Sequence, residues 1–338
     1  MTNSAPNKIC FIMDFWEEIK ADSDSTLRII HEHVKREHEV FITHATHVSV
    51  KDSQVYARCK KIISYKSTSV YTSFYKSVKF YSQWISMMDF DCIFLRSNPP
   101  LDTNLLYFLD YIKHDVFIMN SLRGLRSASN KLYVSSLEAE DDRFTPYTYV
   151  SRDKEYIKSV IKESEEESMV LKPLDGYGGK GVIVIEKAAK KNINSLLDFY
   201  MDKADNYVIL QEYLKGAENG DVRILMLNGK PIGAMKRIPA KGEARSNIHA
   251  GGKEEKHKLT TQEKELCRLI GPKLVEDGLY FVGLDVINGK LLEVNVCSPG
   301  GVTRINKLNA TKTQVKIVDF IEKSIENFEL EKLNQKKD

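Results

Sequence analysis

Apolar and polar positions over the first 120 residues alternate between two periods. A short apolar run at 8–14 ends in Asp14. Leu27, Ile29, Ile30 and Val34 then recur at helical spacing over 24–34, with Asp22, Ser23 and Asp24 as candidate N-caps. Apolar runs return at 39–42, 91–95 and 116–119. Short runs of this kind, separated by helix-period segments, predict a parallel α/β sheet. Ligands of such sheets lie at the carboxyl ends of strands. Asp14, Arg96 with Asn98, and Asn120 each follow an apolar run, where a site is expected. A domain boundary is expected near 122–125, where Gly124 follows the fourth strand.

The pattern changes at 53–88, which holds no acidic residue. Arg58, Lys60, Lys61, Lys66, Lys76 and Lys79 are interleaved there with Tyr56, Tyr65, Tyr71, Phe74, Tyr75, Phe80, Tyr81 and Trp84. Cations among aromatics suit a nucleic-acid surface. The favoured reading is a two-stranded ribbon followed by an amphipathic helix with solvated lysines. Across the chain 50 Lys and Arg meet 47 Asp and Glu, and a net charge of +3 gives no field for nucleic acid or an anionic membrane. The acidic run 163–167 reads as solvated surface, and the charged stretch 329–338 is expected to fray. With 338 residues, two or three domains with a real core are expected. Cys10, Cys59, Cys92, Cys267 and Cys297 are odd in number and scattered, without a Cys-x-x-Cys pair. They argue against a disulfide framework or thiolate zinc site and fit a reducing compartment. No apolar run approaches the roughly 18 residues of a membrane span, and the first run is too short for a secretory signal. A cytoplasmic protein is expected.

Candidate chemistry begins at 169–185, a strand, a Gly-rich loop and a second strand. Gly176-x-Gly178-x-x-Gly181 has the spacing of a dinucleotide fingerprint, but it leads into the strand-like 182–185 and not into a helix. Lys180 is followed by Gly181, so it is not a Walker loop either. Either the loop is a plain hairpin with a surface lysine, or its N–H groups nest an anion at which Lys172 also points. The apolar segment 207–214 ends in polar residues, whose backbone can face a planar base. Arg223 and Arg237 sit in otherwise apolar strands around an Asn228-Gly229 turn. Guanidinium groups inside a sheet need anions, from Asp221 or from a bound phosphate or carboxylate. Asp285, Glu293 and Asn295 lie on the apolar strands of 281–296. Buried carboxylates are costly. A hard cation shared with nucleotide phosphates resolves this, as does pairing with Arg223 and Arg237. Glu293 and Asn295 share a strand face. A two-residue type I′ turn at Asn288-Gly289 would set Asp285 opposite Leu292, on the other face. The metal reading therefore predicts a three-residue loop closed by Gly289 in a G1 bulge.

Taken in order, these segments resemble an ATP-grasp ligase, and more narrowly the prokaryotic-type glutathione synthetase family, from about Ile9 to Asn327. The resemblance is carried by Met13-Asp14, the Arg96-Ser97-Asn98-Pro99-Pro100-Leu101-Asp102 run, Asn130-Lys131-Leu132, Leu171-Lys172-Pro173 with Asp175-Gly176, Gly242-Glu243-Ala244-Arg245-Ser246-Asn247 with Gly251-Gly252, Gly283-Leu284-Asp285, and Glu293-Val294-Asn295 with Ser298-Pro299. It implies an N-terminal parallel α/β domain (1–122) followed by an ATP-grasp fold of two α+β subdomains with nucleotide between them. Those are a lid subdomain (123–210) and a catalytic subdomain (211–328), before a charged tail (329–338). Implied phosphate ligands are Lys131 and Lys172, with Gly176, Tyr177, Gly178 and Gly179 in a small lid loop. Gln211, Glu212, Tyr213 and Leu214 match an adenine hinge. Arg223, Arg237, Arg245 and Asn247 match catalytic positions, the last two in a second mobile loop at 242–252. Asp285, Glu293 and Asn295 match ligands of Mg²⁺, with Mn²⁺ as the alternative metal. Asp14, Arg96, Asn98, Ser298, Gly300 and Gly301 match the substrate side. The family reaction activates a carboxylate with ATP as an acyl phosphate, which an amine attacks, releasing ADP and phosphate. γ-Glutamylcysteine and glycine are the implied substrates. Other small amino acids or peptides are the alternative, and a non-catalytic ATP-binding protein of the same fold is a further one. A homo-oligomer without nucleic-acid or membrane partners is expected. The chain departs from the family pattern at Phe15, Asn98, Ala244, Ser246 and Gly300-Gly301, on the substrate side.

Overall fold

The computed structural model describes residues 6–137, 144–174, 176, 181–186, 192–201, 206–240 and 252–335. Its first layer contains β1 (Lys8–Ile12), α1 (Ser25–Lys35), β2 (Glu39–Thr43), β3 (Val48–Lys51), β4 (Gln54–Ser64), α2 (Tyr71–Ser77), β5 (Lys79–Ser86), β6 (Cys92–Leu95), α3 (Thr103–Asp110), β7 (Phe117–Met119) and α4 (Leu122–Ala128). The sheet runs β3-β4-β2-β1-β6-β7, with β5 also on β4. The β2-β1-β6-β7 core is parallel, as the apolar runs predict. Asp24 caps α1, its Oδ1 accepting the Leu27 N–H at 2.6 Å. The helix then buries Leu27, Ile29, Ile30 and Val34.

The basic aromatic stretch differs from expectation. Its two strands are β4 and β5, and the helix lies between them as α2 and not after them. The aromatic-rich sequence of 79–86 suits a strand, while α2 seats Phe74 in the core against His31, ring centroids 4.5 Å apart. Residues 122–125 form the first turn of α4. Gly124 is a packing residue there: a Cβ would stand 2.4 Å from the Asp277 carbonyl oxygen.

The second sheet is antiparallel, β10-β9-β11-β8, built from β8 (Thr148–Ser151), α5 (Lys154–Glu163), β9 (Ser168–Pro173), β10 (Ile183–Glu186), α6 (Ile193–Tyr200) and β11 (Val208–Glu212). Ile157, Ile161 and Leu197 of its helices cover the face that bears Met169 and Leu171. Alternation along β9 turns Val170 and Lys172 the other way. The third sheet, also antiparallel, runs β14-β13-β12-β15-β16. Its elements are β12 (Asp221–Leu227), β13 (Lys230–Ile238), β14 (Lys253–Lys256), α7 (Thr261–Glu276), β15 (Phe281–Ile287), β16 (Lys290–Asn295), α8 (Val302–Asn309) and α9 (Thr313–Gln335). The charged stretch expected to fray from 329 continues α9 to Gln335, where Lys332 Nζ donates to the Asp115 carbonyl at 2.8 Å. The five cysteines are unpaired. Among the described residues no helix is long and apolar enough to cross a membrane.

Asn120 follows β7 but does not belong to a site. Its Nδ2 donates to the carbonyls of Phe281 (2.9 Å) and Val296 (3.1 Å), and its Oδ1 accepts the Phe281 N–H at 2.7 Å. One buried side chain thus ties the first sheet to the third. Asn120→Ala leaves three buried backbone groups unsatisfied and is expected to cost roughly 3 kcal/mol in urea unfolding.

Candidate active site

A cleft of about 1150 Å³ lies where the three sheets meet. The second sheet contributes Val170, Lys172 and Gln211, the third Asp221, Arg223, Arg237, Asp285, Glu293 and Asn295, and the first Arg96 and Asn98.

The β15–β16 hairpin sets the acidic wall. Ile287 pairs with Lys290 across Asn288 (φ 48°) and Gly289 (φ 77°), so the turn has two residues with positive φ. The expected three-residue loop is not formed. The ladder slips one step further in: Val286 pairs with Leu291 and Asp285 with Glu293, leaving Leu292 as a bulge. Asp285, Glu293 and Asn295 therefore share a face after all, by a bulge beside the site and not at the turn. Asn295 Nδ2 donates to Asp285 Oδ2 at 3.2 Å and to the Gly283 carbonyl at 3.3 Å.

The two arginines have protein anions. Arg223 donates from Nε to Asp285 Oδ1 (2.6 Å) and from Nη2 to Asp285 Oδ2 (3.0 Å), with Nη1 on the Gly300 carbonyl at 3.3 Å. Arg237 donates from Nε to Asp221 Oδ1 at 2.7 Å, and its Nη2 reaches both Asp221 and, at 2.9 Å, Asp285 Oδ1. Direct cross-strand register, Asp221 with Arg237 and Arg223 with Asp285, produces this quartet. Burial pushes the Asp285 carboxyl up, but the two guanidiniums outweigh it and hold it at about 2. Glu293 is different. Its side chain makes no hydrogen bond or ion pair among the described residues, and burial and the Asp285 charge raise its pKa against the pull of Lys131, Lys172 and Arg223.

Lys172 is buried and donates to Gln211 Oε1 at 2.8 Å, while Gln211 Nε2 donates to Thr148 Oγ1 at 2.8 Å. The Gln211 side chain thus positions the lysine. Glu212 accepts Lys290 Nζ (2.8 and 3.1 Å) and the Tyr147 N–H (3.1 Å), fixing the end of β11 to β16. Tyr213 and Leu214 complete that wall. Lys131 Nζ donates to the Leu174 carbonyl at 3.4 Å and to that of Gly176, at the entrance to the Gly-rich loop. Tyr177, Gly178, Gly179, Arg245, Asn247 and the 241–251 part of the second expected loop lie outside the described residues.

On the substrate side, Asp14 accepts Asn98 Nδ2 at 2.6 Å and does not itself line the cleft. Arg96, Asn98, Ser298, Gly300 and Gly301 do. Sequence reasoning missed Thr148, Lys290 and Ser25, whose Oγ accepts the Gly301 and Val302 N–H groups at 3.0 and 3.2 Å. Contacts spanning 63 to 277 residues leave no local signal.

Burial lowers the Lys172 pKa to about 8, with Glu293 opposing and Lys131 adding to the shift. An anion at Nζ favours the protonated form and raises that value. Nucleotide affinity is therefore expected to be full below pH 8 and to weaken as pH rises through it, with proton uptake on binding near pH 8–9. Calorimetry in buffers of different ionisation enthalpy reads both, and flat affinity from pH 7 to 9.5 would remove Lys172 from the phosphate site.

Comparison with known proteins matches two family models in succession: the prokaryotic glutathione synthetase N-terminal domain over residues 8–126 and the prokaryotic glutathione synthetase ATP-grasp domain over 130–310. A glutathione synthetase of Synechocystis sp. is 35% identical over 94% of this chain and 99% of its own length. One from Buchnera aphidicola is 34% identical over 94% and 97%. Among solved structures, a D-cycloserine synthetase superposes with a TM-score of 0.64 at 13% identity, covering 95% of this chain and 99% of that one. The D-alanine–D-alanine ligase of Coxiella burnetii gives 0.59 at 10% identity, covering 97% and 98%. At such identities these two likenesses speak for the fold alone.

Proposed function

The chain belongs to the prokaryotic glutathione synthetase family, an ATP-grasp family of amide-forming ligases, and from that premise we propose that it joins γ-glutamylcysteine to glycine at the expense of ATP, through an acyl phosphate. The observation that carries the proposal is the full-length match to proteins of that name, at 35% identity over 99% of the relative. The cleft supplies the matching chemistry: Lys131 and Lys172 for phosphates, and a carboxylate face opposite them.

The acidic face suits a divalent cation. The Glu293 carboxyl has a raised pKa beside Asp285 and no hydrogen-bonded or ion-paired side chain among the described residues, so a cation relieves the repulsion. Asn295 directs its Nδ2 at Asp285, leaving Oδ1 as a further oxygen. Glu293 and the Asn295 amide oxygen would hold Mg²⁺ directly, and Asp285, whose oxygens accept from Arg223, Arg237 and Asn295, would join them where Asn295 Nδ2 gives up Oδ2. Bound there, the ion neutralises charge that develops on the transferred phosphoryl group. Lys172, held by Gln211, presents fixed positive charge to the same group. Arg223, locked by Asp285 and the Gly300 carbonyl, would offer a preorganised guanidinium to an acyl oxygen as it gains charge. The family spans, 8–126 and 130–310, support the division near 122, and the one near 210 rests on the break between β11, which ends at Glu212, and β12, which starts at Asp221, with nucleotide held between the second and third sheets. Five unpaired cysteines support a reducing, cytoplasmic setting.

One observation favours a wider acceptor. A Cβ at Gly300, on the cleft wall, would meet no atom of the described residues within 4 Å, so among them an amino acid bulkier than glycine has room. The test is ADP release from the purified chain with ATP and Mg²⁺ across acyl donors and amines. Release that requires both γ-glutamylcysteine and glycine supports the proposal. Release only with another pair replaces the substrates, and none with any pair overturns the ligase reading.

A further inference from the structure

A polar chain beside the cleft has its direction fixed at every link. Thr148 on β8, Gln211 on β11 and Lys172 on β9 share one face of the second sheet. Gln211 stands directly across from Thr148 on one side and from Val170 on the other, and Lys172 follows Val170 by two residues. Lys172 Nζ donates to Gln211 Oε1, Gln211 Nε2 donates to Thr148 Oγ1, and Thr148 Oγ1 donates to the Pro146 carbonyl, each at 2.8 Å. Lys172 and Gln211 are buried.

The two ends decide the order between them. An ammonium only donates and a carbonyl only accepts. The Pro146 carbonyl takes the Thr148 hydroxyl proton, so that hydroxyl meets Gln211 as an acceptor. A primary amide has one accepting end and one donating end of nearly the same shape. Between an acceptor at Thr148 and a donor at Lys172, the Gln211 amide fits in one orientation. Turned over, it would set its NH2 group against the ammonium and its oxygen against a hydroxyl oxygen whose proton is committed elsewhere. Lys172 depends on that orientation. No other described residue accepts a hydrogen bond from its Nζ, and a buried charge without an acceptor is costly. Glu293 and Lys131 act on it through their charges alone.

We propose that Thr148 is a positioning residue for the ligase reaction: by fixing the polarity of the Gln211 amide, it aims the Lys172 ammonium at the nucleotide phosphates. This rests on the reading of Lys172 as a phosphate ligand. Thr148 itself does not line the cleft, so it acts on nucleotide through the other two side chains. Valine keeps its shape, suits a strand and lacks only the hydroxyl. In Thr148→Val the amide loses its anchor and its NH2 group has no acceptor, so the lysine is no longer held.

A double-mutant cycle of Thr148→Val and Lys172→Met isolates that route. Affinity for a non-hydrolysable ATP analogue with Mg²⁺ is read by calorimetry on the full chain, with a thermal melt of each preparation. Lys172→Met is expected to weaken binding on the order of 10–100-fold. Thr148→Val is expected to weaken it about tenfold where Lys172 is present. In the Lys172→Met background it changes nothing, because no ammonium remains to be aimed. Thr148→Ser, which keeps the hydroxyl, binds as wild type does. Equal losses from Thr148→Val in both backgrounds would assign the threonine to packing and overturn the proposal, as would wild-type affinity in Thr148→Val. Wild-type affinity in Lys172→Met overturns the phosphate reading itself and the proposal with it, so the cycle tells the two failures apart. Thr148→Ala and Lys172→Gln carry the same expectations where a first variant does not fold.

Discussion

Glu293→Gln is expected to reduce ADP formation by on the order of 10²–10³ or more while the chain melts no lower than wild type. The two halves have one cause. Glu293 faces Asp285 across the β15–β16 ladder, its side chain without a hydrogen bond or ion pair among the described residues. Burial and the neighbouring charge raise its folded pKa above the unfolded value. A carboxylate with a raised folded pKa favours folding fully only when protonated, below the unfolded value. That advantage is lost as pH rises through the folded value, so at neutral pH the charge opposes folding. The neutral amide removes that opposition with little change of shape. It also removes the anionic oxygen that a divalent ion needs. Turnover titrated against Mg²⁺, with a thermal melt of the same preparations, reads both. Wild-type turnover, or a sharply lowered melt, would contradict the metal assignment.

Strands that bury both faces were legible because their apolar runs are short and bounded: β1, β2, β6 and β7 lie where the runs lie. Lys172, Arg223, Arg237, Asp285 and Glu293 were legible as a set because charge in an apolar strand demands a partner. Which partner was not legible, since cross-strand register decides it: Asp221 faces Arg237 and Asp285 faces Arg223. Asn120 shows the same limit. It ends a strand as a site residue would, yet its partners are 161 and 176 residues away. The hairpin did carry a readable trace. Leu291, Val294 and Val296 are buried while Leu292 is not, a spacing of three and then two that a regular strand cannot give. Two adjacent leucines compete for one core position, and the bulge lets Leu291 take it. The turn stays tight because Asn-Gly suits two positive φ angles. Gln262 also packs against it: a Cβ on Gly289 would stand 2.1 Å from that amide.

Asp285→Asn is expected to lose both turnover and stability, in contrast to its cross-strand neighbour. Asp285 accepts two hydrogen bonds from Arg223 and pairs with Arg237 at 2.9 Å, all three side chains being buried. Replacing the charge leaves Asp221 and Glu293 to balance two guanidiniums, and Asp221 bonds only Arg237. Arg223 then stands without a hydrogen-bonded anion. Breaking one partner of a buried ion pair costs about 3–5 kcal/mol, which urea unfolding at neutral pH resolves. The pH dependence identifies the cause. The folded pKa of Asp285 is depressed, to about 2, so its stabilisation is complete above the unfolded value near 4 and is lost as pH falls toward 2. The stability gap between wild type and variant should therefore be constant above pH 5 and narrow between pH 4 and 2. A gap that does not narrow by pH 2 would mean that the aspartate matters for its shape and not its charge. If Asp285→Asn and Glu293→Gln both lose Mg²⁺-dependent turnover while only the first loses this acid-sensitive stability, the division of labour follows. Asp285 serves the arginine quartet and the ion together, and Glu293 serves the ion alone.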